Sequence, residues 1–267
     1  MKGESLYTVF SKALSSEEKA ISYFEKMRWD GNVISPFDPT SKVYKCGNGK
    51  YKCKSTGRYF DVKTGTPLAN TKLPMTKWLL AIFLFQADKG GISSCQLARK
   101  LEITQKTAWY MLMKIRELVA KSNANNPKLS GEVEIDETFI GGKNKNRHKD
   151  KKVEKCQGRS YKDKVPVFGM LERGGKVVAK VVPNIHGDTL LSIVNEHVEK
   201  GSVVYTDGAG YPGINIDYEQ RDVDHSKHFY GTTYVTDEGE IIVVSTNGIE
   251  NVWSHFDRMM LGTYIRV

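Results

Sequence analysis

The sequence predicts a mixed α/β protein in three parts: a small β-rich module, a helical segment and a larger α/β core. Three observations carry this. Residues 29–70 place Pro36, Pro39 and many Gly, Thr and Tyr around short alternating runs. Residues 75–121 keep a helical period with one glycine-marked break. From Gly131 onward, strand-like runs mix with two amphipathic stretches, and acids sit at the centre or end of those strands.

Bulk properties narrow the class. A chain of 267 residues is long enough for one good core and a smaller module. With 39% apolar and 10% aromatic residues it reads as globular. The formal charge of +9 favours a polyanionic partner, because Lys and Arg gain affinity by releasing phosphate counterions. Cys46, Cys53, Cys95 and Cys156 are too scattered for a disulfide framework. The N-terminus lacks an apolar h-region, and the longest apolar run, Trp78 to Phe85, is too short to span a bilayer. A cytoplasmic setting with no membrane association is expected.

The elements follow in order. Residues 5–28 carry two helical patterns, with Ser15-Ser16-Glu17-Glu18 resembling an N-cap and acidic first turn. Val43 to Lys45, Tyr51 to Cys53 and Arg58 to Val62 read as short strands. Met75 to Asp88 forms an apolar helix that stops at Lys89-Gly90-Gly91. A capped helix over Ser94 to Leu101, a tight Glu102-Ile103-Thr104 turn and a helix from Gln105 to about Ala120 fit a helix-turn-helix. That places Gln105, Lys106, Thr107 and Tyr110 toward DNA, and Ala108, Trp109, Leu112 and Ile115 in the core. An ordinary helical bundle is the alternative. Polar Ser122 to Ser130 is the best domain boundary.

Beyond it, strands are predicted at Val133–Ile140, Val165–Leu171, Val177–Pro183 and Val203–Asp207. Glu172-Arg173-Gly174-Gly175 reads as a hairpin turn. Asp188 to Lys200 is an amphipathic helix capped near Asp188 or Thr189, and a last helix runs from about Asn247 into Met260. Three antiparallel strands, a helix, a strand and a late helix is the order of an RNase H-like α/β core.

On that order Asp136 lies mid-strand, Asp207 at a strand end and Glu250 on the last helix, so three carboxylates converge. Burying an unpaired carboxylate costs about several kcal/mol, so acids on core-like strands suggest a metal. Oxygen ligands suit Mg²⁺ (or Mn²⁺), and two such ions serve phosphodiester transfer. Glu134 and Glu137 have weaker claims, strand alternation favouring surface exposure.

Glu134-Ile135-Asp136-Glu137-Thr138-Phe139-Ile140-Gly141-Gly142-Lys143, Tyr205-Thr206-Asp207, His225-Ser226-Lys227 and Thr246-Asn247-Gly248-Ile249-Glu250-Asn251-Val252-Trp253-Ser254 together resemble the ISXO2-like (IS1595 group) DDE transposases. Gly262-Thr263-Tyr264 extends the resemblance; so, upstream, do Tyr51-Lys52-Cys53, Phe60, Thr64-Gly65-Thr66 and Thr107-Ala108-Trp109. It implies an insertion-sequence enzyme that cuts and joins double-stranded DNA at terminal inverted repeats and target sites. It also implies a homo-oligomer on DNA and a bacterial, nucleoid-associated setting.

The resemblance implies Asp136 and Asp207 as the first two metal-binding acids, with Asn or Glu third. Asn247 and Glu250 lie one turn apart. A carboxylate holds Mg²⁺ better, which favours Glu250, while Asn247 also reads as a helix N-cap. His225 has an accessory role within His-Ser-Lys, and His228 reads as a surface histidine.

Three departures from the family stand out. Asp257 occupies the position where relatives carry a Lys that contacts DNA, with Arg258 beside it as the substitute. The sequence stops at Val267, short of the family's usual extent, so the catalytic domain is expected to be C-terminally truncated. The two Cys-x-x-Cys knuckles of a zinc ribbon read Ser35-Pro36-Phe37-Asp38 and Cys53-Lys54-Ser55-Thr56. One ligand and an off-register Cys46 do not make four, so a degenerate zinc-ribbon-like module without structural zinc is expected.

Lys143 to Lys164 holds ten Lys or Arg against Asp150, Glu154 and Asp163. It reads as a loop that contacts phosphate and orders on binding, through Lys143, Lys145 and Arg147. The expected organisation is therefore 1–72 as N-terminal helices and ribbon-like module, 73–122 as helix-turn-helix, and 131–267 as the catalytic domain. A non-catalytic DNA-binding remnant and an RNase H-like nuclease are the alternatives.

Overall fold

The computed structural model describes residues 7, 11–87, 90–123, 127–141, 144, 147–154, 162, 164–207, 211–223, 232–235 and 241–264. The chain is mixed α/β and folds as two compact units, residues 1–126 and 127–267.

In the first unit, helix α1 (Glu17–Trp29) is capped by Ser16, whose hydroxyl accepts the Lys19 N–H at 3.3 Å. Strands β1 (Val43–Lys45), β2 (Lys50–Cys53) and β3 (Tyr59–Asp61) form an antiparallel meander. Trp29, Phe37, Tyr51 and Phe60 close it with ring contacts at 5.6–6.2 Å. Helix α2 (Met75–Ala87) begins where Glu17 accepts the Met75 and Thr76 N–H groups, an acid satisfying a helix N-terminus. Helix α3 (Ser94–Leu101) is capped by Ser93 and ends at left-handed Glu102. A short turn leads into α4 (Gln105–Asn123). Leu97, Ala98 and Leu101 pack with Ala108, Met111, Leu112 and Ile115. Trp109 is not among them: it is 53% exposed, against the core position its apolar character predicts.

The second unit is built on a five-stranded sheet of order β6-β5-β4-β7-β8. These are β4 (Glu132–Ile140), β5 (Val165–Glu172), β6 (Val177–Val181), β7 (Val203–Thr206) and β8 (Glu219–Asp222). β4, β5 and β6 run antiparallel, and β7 and β8 join parallel to β4. Helix α5 (Gly187–His197) supplies the crossover, covering Val133, Ile135, Phe168 and Met170 with Leu190 and Val194. Its N-cap is His186, not Asp188 or Thr189, and no side chain bonds the cap. Strands β9 (Thr232–Val235) and β10 (Ile241–Val244) pair as a separate two-stranded sheet before α6 (Asn247–Met259). Helix α6 packs Ile249 and Trp253 on Val167 and Leu171, the face opposite α5. No described helix is long and apolar enough to cross a membrane.

Candidate functional site

Strand alternation sorts the acids of β4. Val133 and Ile135 face α5, which leaves Glu132, Glu134 and Asp136 on the α6 side. β4 and β7 are parallel with Glu134 opposite Tyr205, so two residues further on Asp136 comes beside Asp207. Burial pushes the Asp136 carboxyl up to about 7, and the charges of Asp207 and Glu137 push the same way. Two donors oppose them: the Glu137 backbone N–H at 2.8 Å, and the Trp253 indole N–H at 3.0 Å. Opposite Asp136 on β5 is Gly169, where a Cβ would lie 2.4 Å from Trp253 Cζ2. The missing side chain is what admits the indole.

The third carboxylate is placed differently from the sequence expectation. Glu250 is exposed on the first turn of α6, its carboxylate accepting the Thr246 hydroxyl at 3.2 Å. Among the described residues, no group of three or more His, Cys, Asp or Glu side chains stands close enough to hold a metal ion. Convergence therefore reaches Asp136 and Asp207, and α6 contacts Asp136 through Trp253, one turn beyond Glu250. Asn247 is exposed and is the first helical residue; Thr246 occupies the N-cap, which removes the capping role considered for Asn247.

Glu134 and Glu137 also depart from their expected exposure. Glu134 is 3% exposed, because it accepts from Arg173 Nε and the Ile249 N–H, each at 2.9 Å. Glu137 is half-buried and accepts the hydroxyl of buried Tyr211. Burial, Glu137 and the two aspartates hold that hydroxyl strongly protonated. Composition could not find this Glu134 contact. The available signals were Gly248, whose Cβ would fall 2.6 Å from Glu134 Oε2, and Arg173 in a glycine turn.

The predicted DNA-facing residues divide between the units. Gln105 and Lys106 are exposed, Tyr110 is 38% exposed, and Thr107 is half-buried with its hydroxyl 2.8 Å from Thr104. Gln105 also donates to Ser94 at 2.8 Å, tying the start of α4 to α3. Arg258 is exposed and donates to Ser254 at 3.0 Å. The Arg147 backbone N–H turns back to Asn144. Lys143, Lys145, His225 and His228 lie outside the described residues.

Around Ser35–Asp38 and Cys53–Thr56 the first unit holds a hydroxyl-rich cluster. Asp38 accepts from Ser55 at 2.6 Å and from Thr40 at 2.7 Å. The hydroxyls of Ser35, Ser41, Ser55 and Thr56 draw the buried Cys53 thiol down to about 6.

Residues 128–267 match the model of the ISXO2-like transposase domain. A protein in the transposable element ISH50 of Halobacterium salinarum is 27% identical over 211 residues, covering 74% of this chain and 69% of that protein. A transposase-like protein of Haemophilus influenzae is 36% identical over 86 residues, covering 31% of this chain and 61% of that protein.

Proposed function

The chain belongs to the ISXO2-like transposase family, and from that premise we propose that it cuts and rejoins DNA at the ends of an insertion sequence. The observation that carries the proposal is the approach of Asp136, on β4, to Asp207, just past the end of the adjacent parallel strand β7, beneath a helix whose indole holds Asp136. The strand order β6-β5-β4-β7-β8, with helices on both faces, supports an RNase H-like core.

The donor set fits a hard divalent cation. Asp136 is a carboxylate that burial and like charge drive toward protonation, and a dication beside it would reverse both effects. Asp136 and Asp207 would hold Mg²⁺ or Mn²⁺, with Glu250 or Asn247 supplied by α6. A cation held there would supply Lewis-acid activation of a water or 3′-hydroxyl and charge stabilisation of the leaving oxygen. The chain's own part is to keep Asp136 ionised and aimed. Trp253 and the Glu137 N–H both bond the charged form, and Gly169 gives the indole its place.

DNA engagement is proposed through α3 and α4, with Gln105, Lys106, Thr107 and Tyr110 at terminal inverted repeats. Lys143, Lys145, Arg147 and Arg258 are proposed to take phosphate, on target or element DNA. A homo-oligomer assembled on DNA in the bacterial nucleoid completes the proposal. The test is product analysis on a duplex copied from the sequence flanking the gene, incubated with Mg²⁺. Covalent joining of a cut 3′ end to a second duplex is expected; cuts with no joining identify a nuclease instead. The exposure of Glu250 favours a second reading, a DNA-binding protein without catalysis. Salt-sensitive binding with no cutting under any divalent ion would establish it.

A further inference from the structure

Arg173 lies outside the acids assigned above, in the turn after β5, and its guanidinium meets four groups on different parts of the second unit. Nε donates to Glu134 Oε1 at 2.9 Å, and Nη1 to the Val243 carbonyl at 2.9 Å and Glu132 Oε2 at 3.3 Å. Nη2 donates to the Ser245 carbonyl at 2.8 Å. The guanidinium carbon rests 3.8 Å from the Tyr205 ring centre on β7, two strands from β5. Glu134 carries the connection onward, since its second oxygen accepts the Ile249 N–H at 2.9 Å. β4, the segment leading into α6, and the first turn of α6 are thus joined through one ion pair.

A buried ion pair is weak evidence for stability, because apolar residues of similar volume hold a core as well. What the fork adds is direction. Arg presents donors in a fixed plane, so the Val243 and Ser245 carbonyls and Glu134 define where the segment before α6 must run. Gly248 lets the helix approach, since a Cβ there would lie 2.6 Å from Glu134 Oε2 and 2.7 Å from Leu171 Cδ2. Ile249 and Trp253 are four residues apart on one face, so a shift at Ile249 moves the indole that bonds Asp136.

We propose that Arg173, acting through Glu134, is a positioning residue that sets α6 against the Asp136–Asp207 pair. The proposal rests on assigning that pair as the reacting site. Full-length, metal-free wild type, R173M and R173K are compared by amide hydrogen exchange, and their cutting of the flanking-sequence duplex is measured with Mg²⁺. Exchange from Ile249 to Trp253 is expected to quicken at least about tenfold, with Ile135 and Met170 keeping wild-type protection. kcat is expected to fall by about a hundredfold at unchanged KM, the effect of a small misplacement of reacting groups. Wild-type exchange in α6, or wild-type kcat in a folded variant, overturns it. If R173M loses protection at Ile135 and Met170 it has unfolded, and R173K decides on the same readouts. If the wild type cuts nothing with any divalent ion, the proposed cutting activity fails, and exchange alone decides whether Arg173 sets α6.

Discussion

The Trp253 indole N–H donates to the Asp136 carboxylate at 3.0 Å, across a gap in the sheet left open by Gly169. One bond thereby links the last helix to an acid in the middle of a core strand. Gly169→Ala would put a methyl 2.4 Å from Trp253 Cζ2, and the indole must move. Overpacking of this kind costs about 1–3 kcal/mol, so thermal melting should fall by that amount and Mg²⁺-dependent cutting should fall with it. Trp253→Phe keeps most of the packing and loses the donor. It should cost about 1–2 kcal/mol and raise the Asp136 carboxyl above its present value, as read by carboxylate-resolved NMR titration.

Asp136 makes the metal-free fold less stable than it need be. Its folded value of about 7 lies above the ordinary 3.8, so the folded state holds the proton more tightly. The penalty for ionising it begins as pH passes 3.8 and is complete above about 7. Asp136→Asn should therefore stabilise chelator-treated protein by about 1–3 kcal/mol at pH 8 and leave it nearly unchanged at pH 4. Added Mg²⁺ should raise the melting point of the wild type only. Equal melting of the two proteins at pH 8 would show that the burial carries no such cost.

Exposed Trp109 gives the first unit an optical probe. Trp29, Trp78 and Trp253 are 9%, 0% and 7% exposed, against 53% for Trp109. Iodide quenching should report mainly on Trp109, and binding of terminal-repeat duplex should protect it. Trp109→Phe should remove the signal, and Lys106→Ala should reduce the salt slope of binding by about one. Unchanged quenching on a bound duplex would place the DNA elsewhere.

Cys53 offers a pH signature in the same unit. Its folded value of about 6 lies below the ordinary 9.0, so thiolate stabilisation is full above 9 and is lost as pH falls through about 6. Thiolate absorbance in a variant lacking Cys46, Cys95 and Cys156 should titrate near 6 and return toward 9 on unfolding. Ser35, Asp38, Ser55 and Thr56 spend their polar groups on hydrogen bonds around Cys53, so a chelator should leave the unit's melting point unchanged. A chelator-induced drop would indicate a bound metal.

How much of this was legible in the sequence depended on what each residue had to announce. Asp136 and Asp207 stood out because Val133, Ile135, Val203 and Val204 mark their strands as buried. β8 did not, since Glu219-Gln220-Arg221-Asp222 has no apolar alternation; it is held by a parallel ladder to β7. Glu134 looks like a surface acid by type, yet its partners are a residue 39 positions away and an amide 115 positions away. Trp109 misleads the other way, because helical periodicity gives it a place beside Ala108 and Leu112 but not the neighbours that would cover it. Glu250 was identifiable as a motif residue, while its exposed side of α6 is a matter of tertiary packing.

The most direct measurement is Mg²⁺-dependent cutting of a flanking-sequence duplex by the wild type, D136N and D207N, with duplex binding measured alongside. Each substitution should lower kcat at least about a hundredfold, because the proposed site gives both acids to the ion, while duplex affinity stays within about twofold. Wild-type cutting by either variant would contradict the assignment of Asp136 and Asp207 as the catalytic pair.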